Sequence, residues 1–440
     1  MGLPENDASA EKRAFREEVR KNFRWNLTFN LLYGLFGTTG WQLINAPTFV
    51  PTYIFKLGGS NLLVGLLLSL GGLSRFITPP VIAPLVEHQP YLKKKVLLVG
   101  TLMRVQVLFM ALAGFFLGTR LNIIAFFAAF ALYNFFLGMQ NVVYNTVMAK
   151  VIPIENRGRF IGWREFLGGL SFSVVSLVAG SLIQNLRFPH SYGATYLLSF
   201  FLTFLGLVLF GFSREPATPT VLKKIPVFER LRSIPALMRE DKNFTNYCVC
   251  RLVGSLAFMS NPFFILYMGQ KLSMSGHMLG LLTFCYYISR TCINLILGRI
   301  ADRSGFRRVF LISVTIWTLA LFALLTIPPS YALAVGVFLA IGAGFGGFNM
   351  AMSSMVLEFG DTAGLPMRLA LVNSIGEMAT SVGPLFAGFL ADNVSYQSVF
   401  SISILCMASG LAMMYFRVKE PRYIAARQAA EEPAIREPLQ

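Results

Sequence analysis

Residues 47–75 read PTFVPTYIFKLGGSNLLVGLLLSLGGLSR, and residues 262–290 read PFFILYMGQKLSMSGHMLGLLTFCYYISR. The two stretches align without a gap at a spacing of 215 residues, and 10 of their 29 positions are identical. Shared apolar composition does not explain why Pro, Lys and a Ser-Arg pair also match. An internal repeat in an apolar chain predicts two structural halves related by pseudo-symmetry, with a binding site where the halves meet.

The composition is typical of a membrane protein. Of the 440 residues, 55% are hydrophobic and 13% are charged, whereas about a quarter of a soluble domain is charged. Apolar runs long enough to cross a bilayer, about 18 residues or more, recur along the chain. We therefore predict an all-α membrane protein with twelve spans, near residues 24–55, 61–86, 94–118, 122–150, 161–186, 194–212, 244–270, 276–299, 307–327, 331–357, 368–391 and 396–416.

The net charge of +17 follows the expected membrane topology. Four of the 38 Lys and Arg residues lie more than five residues inside a span, and most of the others lie on the side of the N-terminus. Only four lie in loops on the opposite side, at Lys56, Arg120, Arg187 and Lys271. Because an excess of Lys and Arg marks the cytosolic side, we expect both termini in the cytosol. The same distribution argues against a nucleic-acid partner.

The order of segments is six spans, a polar connector and six further spans. The repeat continues in the fifth and eleventh spans, where Gly168 and Gly180 match Gly376 and Gly388 at a spacing of 208. Both halves keep the order and direction of their spans, which indicates parallel repeats about an axis along the membrane normal. The predicted divisions are a cytosolic N-terminal tail (1–23), an N-terminal six-helix half (24–213), a basic cytosolic linker (214–243), a C-terminal six-helix half (244–416) and a cytosolic C-terminal tail (417–440).

A loop motif, GRIADRSGFRR, lies at residues 298–308, after the eighth span. It resembles the motif G-x-L-A-D-R-x-G-R-R of the major facilitator superfamily. The equivalent stretch of the first half, APLVEH at residues 83–88, keeps an acidic residue but loses both glycines. The segments PIENRGR (153–159) and GPLFAG (383–388) are also similar to segments of that family. The resemblance covers residues 24–416 and implies a secondary transporter built from two pseudo-symmetric six-helix bundles.

The loop motif predicts a latch at the cytosolic end of the eighth span. Gly305 permits a tight turn. Asp302, followed by Arg303, lies where its carboxylate could cap a helix N-terminus or pair with a basic residue. The alternative is a plain basic loop.

The resemblance also implies which spans line a central cavity, namely the first, fourth, seventh and tenth. Polar residues recur at helical spacing on these spans, and we expect most of them to contact substrate. The alternative is that they form hydrogen bonds between helices. The candidate substrate-binding residues are Asn30, Trp41, Gln42, Asn141, Tyr144, Asn145, Arg251 and Asn349.

Ionisable side chains within spans indicate functional positions, because burying a charge in a membrane is costly. In the superfamily the second span faces the eleventh and the fifth faces the eighth. A similar arrangement here would pair Arg75 with Glu377 and Arg290 with Glu165, as gates that close the cytosolic side and break when the halves rock. The alternative is that these arginines reach headgroups or carbonyls within their own half. Glu377 is also the main candidate for a proton carrier, although an ionised Arg75 beside it would argue against that role.

The expected function is secondary active transport of a small solute by alternating access. Buried arginines outnumber buried acids, which favours an anionic or zwitterionic substrate with Arg251 as its counter-charge. The many Phe and Met residues also allow an amphipathic substrate. Coupling to protons, exchange for a counter-anion and uniport all stay open.

Two other functions compete with this interpretation. One is a transport-inactive membrane scaffold or assembly factor, which the degenerate first loop motif supports. The other is multidrug efflux. An enzyme is not expected, because the chain contains no Walker loop, nucleophile elbow or metal-ligand spacing, and we expect no cofactor or metal. We expect a monomer embedded in the lipid bilayer of a bacterial inner (plasma) membrane.

Overall fold

The structure is a computed structural model that describes residues 5–86, 89–217, 234–359 and 365–422. Throughout these ranges the regular elements are helices. Short 3-10 turns, Ala257–Ser260 and Met355–Glu358, follow the helices Lys242–Leu256 and Tyr331–Ser354. The α-helices are α1 (Glu5–Asn45), α2 (Phe49–Lys56), α3 (Asn61–Val86), α4 (Lys93–Phe116), α5 (Thr119–Val151), α6 (Ile154–Asn185), α7 (His190–Gly211), α8 (Ile234–Glu240), α9 (Lys242–Leu256), α10 (Asn261–Lys271), α11 (Gly276–Ser304), α12 (Phe306–Thr326), α13 (Tyr331–Ser354), α14 (Leu365–Asn393) and α15 (Tyr396–Phe416).

These helices confirm the predicted all-α membrane fold. Within the described residues, ten helical segments are long and apolar enough to cross a membrane. The first and eleventh predicted spans fall on α1 and α14, which are also helical but carry more polar side chains. The chain is therefore an integral membrane protein.

The first span of each half is interrupted at the same position of the repeat. Pro47 lies between the end of α1 and the start of α2. Its repeat partner Pro262 lies in the first turn of α10, directly after the 3-10 turn 257–260. Proline lacks an N–H and its ring clashes with the preceding turn of a helix. The repeated proline thus explains why the sequence-predicted spans 24–55 and 244–270 are each divided.

The structure describes parts of the predicted tails and linker. Residues 5–23, predicted as a tail, continue α1 as a helix. The linker contains the short helix α8, while its residues 218–233 lie outside the described ranges. The C-terminal tail is described as far as Arg422.

The helices end on two opposite sides of the molecule. We call the side on which most Lys and Arg residues lie the basic end, and the opposite side the distal end. The basic end comprises the helix ends at residues 86 and 93, 151 and 154, 211 and 242, 304 and 306, 354 and 365, and 416. The distal end comprises the helix ends near residues 45–61, 116–119, 185–190, 271–276, 326–331 and 393–396.

The two halves are in close contact at the distal end. They meet along two seams, α3 against α14 and α6 against α11. A Cβ added at Gly65 would lie 2.2 Å from the carbonyl oxygen of Pro384, and one at Gly276 would lie 2.6 Å from that of Gly180. Small residues let helix backbones approach this closely in membranes. The distal end of the interface is therefore closed.

At the basic end the seams separate. Toward the basic end, the Arg75–Glu377 pair joins α3 and α14, and Gly169 packs against Thr291 where α6 meets α11. Gly162 and Gly298 lie nearer the basic end on α6 and α11, and a Cβ added to either would meet no atom within 4 Å. The space between the halves thus opens toward the basic end.

Candidate functional site

The predicted pair of Arg75 and Glu377 is present at the α3–α14 seam. Arg75 Nε lies 3.1 Å from Glu377 Oε2, and the two side chains are 23% and 37% exposed. Arg75 also donates through Nη1 to the Asn134 amide oxygen on α5. Thr380 Oγ1, one turn beyond Glu377, lies 3.2 Å from the same carboxylate oxygen. One carboxylate therefore links the two halves at the level where they begin to separate.

The second predicted pair does not form. Glu165 instead accepts a hydrogen bond from its neighbour Arg164 at 3.1 Å. The Arg290 guanidinium lies over the ring of Phe345, with Cζ 5.1 Å from the ring centroid. Gly169 packs on Thr291, so Glu165 lies about four residues toward the basic end from the contact point and Arg290 about one residue toward the distal end. This offset, about 7.5 Å along the seam, separates the two side chains in the present arrangement, whose basic end is open. An Arg290–Glu165 gate that closes this end therefore stays a prediction.

Arg251 of α9 carries hydrogen-bonding capacity that the described residues do not use. Its Nε and Nη1 atoms are buried and have no hydrogen-bond partner. Its Cζ lies 5.7 Å from the ring centroid of Phe348, and a Cβ at Gly376 would lie 3.0 Å from its Nη2. A buried guanidinium with free N–H groups favours an anionic partner.

An aromatic cluster joins Arg251 to Arg290 within the C-terminal half. The Phe258 ring lies 5.1 Å from Phe345 and 4.6 Å from Phe348, in edge-to-face contacts. Phe345 carries the Arg290 guanidinium and Phe348 carries that of Arg251. The two cations thus lie at opposite ends of one aromatic surface.

The face of α5 that carries Asn134, Asn141 and Asn145 packs at Asn134 against α3 of the same half. Asn134 contacts Arg75 at the seam, and Asn141 and Asn145 continue the same face of the helix toward the basic end, where both are exposed. Residues spaced by three and four lie on one side of a helix. Asn141 and Asn145 therefore lie on the face of α5 that packs against α3, closer to the basic end than Asn134, and their contact with substrate stays a prediction.

Asn349, the predicted substrate-binding residue of the tenth span, lies on α13. It lies one turn from Phe345 and donates to the Phe345 carbonyl oxygen at 3.0 Å. The side chain is half-buried, so its amide oxygen remains available beside the Arg290 contact.

Tyr144 and Arg164 form a second cationic group in the N-terminal half. The Arg164 guanidinium lies 5.7 Å from the Tyr144 ring centroid, and its buried Nε atom has no partner. Tyr144 in turn packs against Tyr33 with ring centroids 4.9 Å apart. Arg164 was not among the residues predicted from sequence. The sequence feature that could have indicated Arg164 is the Arg164-Glu165 pair inside an apolar run, from which only Glu165 was predicted as a site residue.

The candidates on α1 differ in their surroundings. Trp41 is half-buried and its Nε1 atom has no partner, and the Gln42 side-chain oxygen is buried without one. Asn30 instead donates to Ser213 Oγ at 3.0 Å, within its own half at the end of α7. Because Asn30 is buried against α7, the expectation that it faces the cavity is corrected.

The loop motif is capped by a different carboxylate from the one predicted. Glu420, in the tail after α15, accepts from the Arg307 backbone N–H at 3.0 Å, at the start of α12. Gly305, with φ +81°, leads into this turn, and a Cβ there would lie 2.3 Å from the Glu420 carboxyl carbon. Asp302 and Arg303 are exposed. Glu420 therefore caps the N-terminus of α12 in place of Asp302. Asp302 interacts electrostatically with Arg422, and its role in a latch stays a prediction.

The first half repeats this cap. Glu215, after α7, accepts from the backbone N–H groups of Leu92 and Lys93 at 2.8 and 2.7 Å, at the start of α4. Both glutamates are followed by proline in the sequence. Burial raises the pKa of the Glu420 carboxyl above its usual range. Of the degenerate first loop motif, residues 87 and 88 lie outside the described residues.

Solved structures of several transporters share this fold. The nucleoside transporter NupG is 17% identical, with a TM-score of 0.62 over 90% of this chain and 100% of that chain. The human organic anion transporter MFSD10 (TETRAN) is 14% identical, with a TM-score of 0.64 over 89% and 99%. A D-xylose-proton symporter is 11% identical, with a TM-score of 0.72 over 91% and 99%. No curated protein matches the chain.

The family model described as Major Facilitator Superfamily matches residues 32–259 and 247–439. The first range covers most of the N-terminal half, the linker and the start of the C-terminal half, and the second covers most of the C-terminal half, including the loop motif GRIADRSGFRR. The chain therefore belongs to the major facilitator superfamily.

Proposed function

We propose that this protein is a secondary active transporter that moves a small anionic or zwitterionic solute by alternating access. The observation that carries the substrate class is Arg251, whose buried Nε and Nη1 atoms have no protein partner. A buried donor without a partner costs free energy, and a substrate carboxylate or phosphate would remove that cost. A guanidinium also presents the donor geometry that these groups accept in pairs.

The charges around the space between the halves support the same substrate class. Four arginines border it, Arg75, Arg164, Arg251 and Arg290, against two acids, Glu165 and Glu377. Each acid has a neighbouring arginine at 3.1 Å. Among the described residues neither Arg251 nor Arg290 forms an ion pair, although Arg251 lies near enough to Glu377 to interact with it electrostatically. The two arginines lie on either side of the Phe345–Phe258–Phe348 surface. An apolar or aromatic substrate body could pack there while its anionic group binds Arg251.

The two-half architecture supports alternating access. The seams are closed at the distal end and apart at the basic end, which is one of the two arrangements that such a cycle requires. The family and the similar structures, which include a nucleoside transporter, an organic anion transporter and a D-xylose-proton symporter, support transport of a small solute. For this chain the coupling ion is proposed to be a proton or a counter-anion.

We infer the orientation from charge. The excess of Lys and Arg at the basic end supports a cytosolic location for that end, both termini and the linker. A bacterial inner membrane and a monomeric state complete the proposal.

Thermal unfolding of the detergent-purified chain, with a panel of anionic, zwitterionic, cationic and neutral solutes, tests the substrate class. A ligand that binds the folded state raises its melting temperature by mass action. We expect the largest shifts from anionic or zwitterionic solutes, and we expect Arg251→Ala to abolish them while the unliganded protein still folds. Arg299→Ala, an exposed arginine at the basic end, is the matched control. An anion shift that survives in Arg251→Ala would remove Arg251 from the site.

A further inference from the structure

A carboxylate of one half completes the N-terminus of a helix of the other half at the distal end. Asp392, at the end of α14, accepts from the backbone N–H of Asn61 at 3.1 Å and from that of Leu62 at 2.8 Å. It also accepts from Asn61 Nδ2 at 2.9 Å. Tyr396 Oη donates to Asn61 Oδ1 at 2.7 Å and holds that amide in place. Four hydrogen bonds therefore tie α3 to the other half at its first turn.

The second seam carries the repeat copy of this contact. Gln184, at the end of α6, accepts from the backbone N–H of Gly276, the first residue of α11, at 2.8 Å. Asn61 and Gly276 are related by the repeat spacing of 215, and Gln184 and Asp392 by the repeat spacing of 208. Repeat-related helix ends thus cap repeat-related helix starts at both seams. The capping group is a carboxylate at the α3–α14 seam and a neutral amide at the α6–α11 seam.

The first N–H groups of a helix have no partner within that helix. In α3 and α11 the third of these groups is satisfied locally, by Ser60 Oγ for Leu63 at 3.2 Å and by Ser275 Oγ for Met278 at 3.1 Å. The carboxylate of Asp392 satisfies the first and second groups of α3, whereas Gln184 offers its one amide oxygen to the first group of α11. Both contacts are lost when the distal ends of the halves move apart.

The two caps also differ in charge. A negative charge at a helix N-terminus interacts favourably with the helix dipole, and a neutral amide does so only weakly. Charge-assisted hydrogen bonds are roughly twice as strong as neutral ones. The α3–α14 seam is therefore held more firmly at its distal end than the α6–α11 seam.

We propose that Asp392 and Gln184 are positioning residues, the distal caps, that set how readily the distal side opens, with Asp392 the stronger of the two. This inference rests on the proposed alternating access. The distal caps touch no substrate, and they act by stabilising the arrangement in which the distal end is closed. Removing a cap shifts the population toward the arrangement with the distal end open and the basic end closed.

Hydrogen exchange of the full-length chain measures how strongly each cap protects the backbone N–H groups that donate to it. We expect Asp392→Ala to raise the exchange rate of residues 61 and 62 about tenfold and Gln184→Ala to raise that of residue 276 about threefold. Asp392→Glu should restore most of the protection of α3. Gln184→Glu should slow exchange at residue 276 below the wild-type rate, because it adds the missing charge. Asn393→Ala and Asn185→Ala, at the adjacent exposed positions, are the matched controls.

A thiol-labelling readout separates a conformational role from a local structural one. With Cys292 and Cys406 replaced by serine, a Gly162→Cys thiol at the open basic end should react several-fold more slowly in Asp392→Ala than in the parent, since opening the distal end closes the basic end. Unchanged exchange at residues 61 and 62, or unchanged labelling despite faster exchange, would overturn the proposal. Neither measurement uses a substrate, so a separate failure of the wild-type chain to take up any solute would count against transport itself.

Discussion

At the scale of single residues, Glu377 forms the ion pair that joins the two halves. It pairs with Arg75 across the α3–α14 seam at 3.1 Å, although the basic end of that seam is already apart. A gate that breaks when the cytosolic side opens would not be intact in this arrangement. The pair is therefore better described as the inner limit of the closed region than as a gate of the cytosolic side.

Replacing Glu377 tests the energy of this pair. Glu377→Gln leaves Arg75 without a counter-charge at a half-buried position, and we expect it to lower the stability by about 1 kcal/mol, because breaking one side of an ion pair leaves an uncompensated charge. The double variant Arg75→Gln/Glu377→Gln should recover most of that loss. Thermal unfolding of the four chains of the cycle gives the coupling energy. Additive losses would show that the two side chains act independently.

The residues of the site could be predicted from sequence only in part. Arg75, Glu377 and Arg251 could be chosen because ionisable residues are rare in apolar helices. The partner of Glu165 could not, because pairing along a seam depends on a register of about five residues that spacing within one helix does not fix. The surroundings of Asn30 depend on which segment packs over its face of α1. The spacing of polar residues along α1 did not reveal that Ser213 lies there.

At the scale of helices, the Glu-Pro sequences after α7 and α15 repeat a capping function. Glu215 and Glu420 each return to the start of an earlier helix of the same half. The glutamates lie about 205 residues apart, so the repeat could have indicated an equivalent function. The loop motif drew attention to Asp302 because the motif is local, whereas the cap comes from a tail more than 100 residues away.

The cap of α12 predicts a measurable loss of stability. Glu420→Ala removes the acceptor of the Arg307 N–H, and we expect a cost of about 1 kcal/mol, in the range of N-cap removal. The melting temperature should fall by about 2 °C, and exchange at the start of α12 should rise. Lys419→Ala, at the neighbouring exposed position, is the control. Equal effects of the two substitutions would show that the cap contributes nothing specific.

At the scale of the whole molecule, the repeat predicted the fold closely because twelve apolar helices in two parallel sets allow few arrangements. The sequence also contained the repeated prolines that divide the first span of each half. It did not reveal which end of the interface is closed. That depends on the balance of contacts between halves, such as the close packing at Gly65 and Gly276, which no single stretch encodes.

The open basic end predicts a pattern of chemical access. Cysteines introduced by Gly162→Cys and Gly298→Cys should react readily with a soluble thiol reagent, since both positions face open space. A Gly65→Cys substitution should be poorly tolerated, because its Cβ would meet the backbone of Pro384. A bound substrate that shifts the population toward an open distal end should protect positions 162 and 298. Labelling rates with and without the substrate identified by thermal shift test this, and insensitivity to substrate would contradict it.

The position of the Arg75–Glu377 pair along α3 has a mechanical consequence. It lies about 21 Å from the start of the helix at Asn61 and about 16 Å from its end at Val86, at 1.5 Å per residue. A tilt of the halves by about 10° with this pair as the fulcrum would move the distal end by about 4 Å and the basic end by about 3 Å in opposite directions. The arms of this lever are nearly equal, so one small rotation would exchange access between the two sides without either seam sliding along its length.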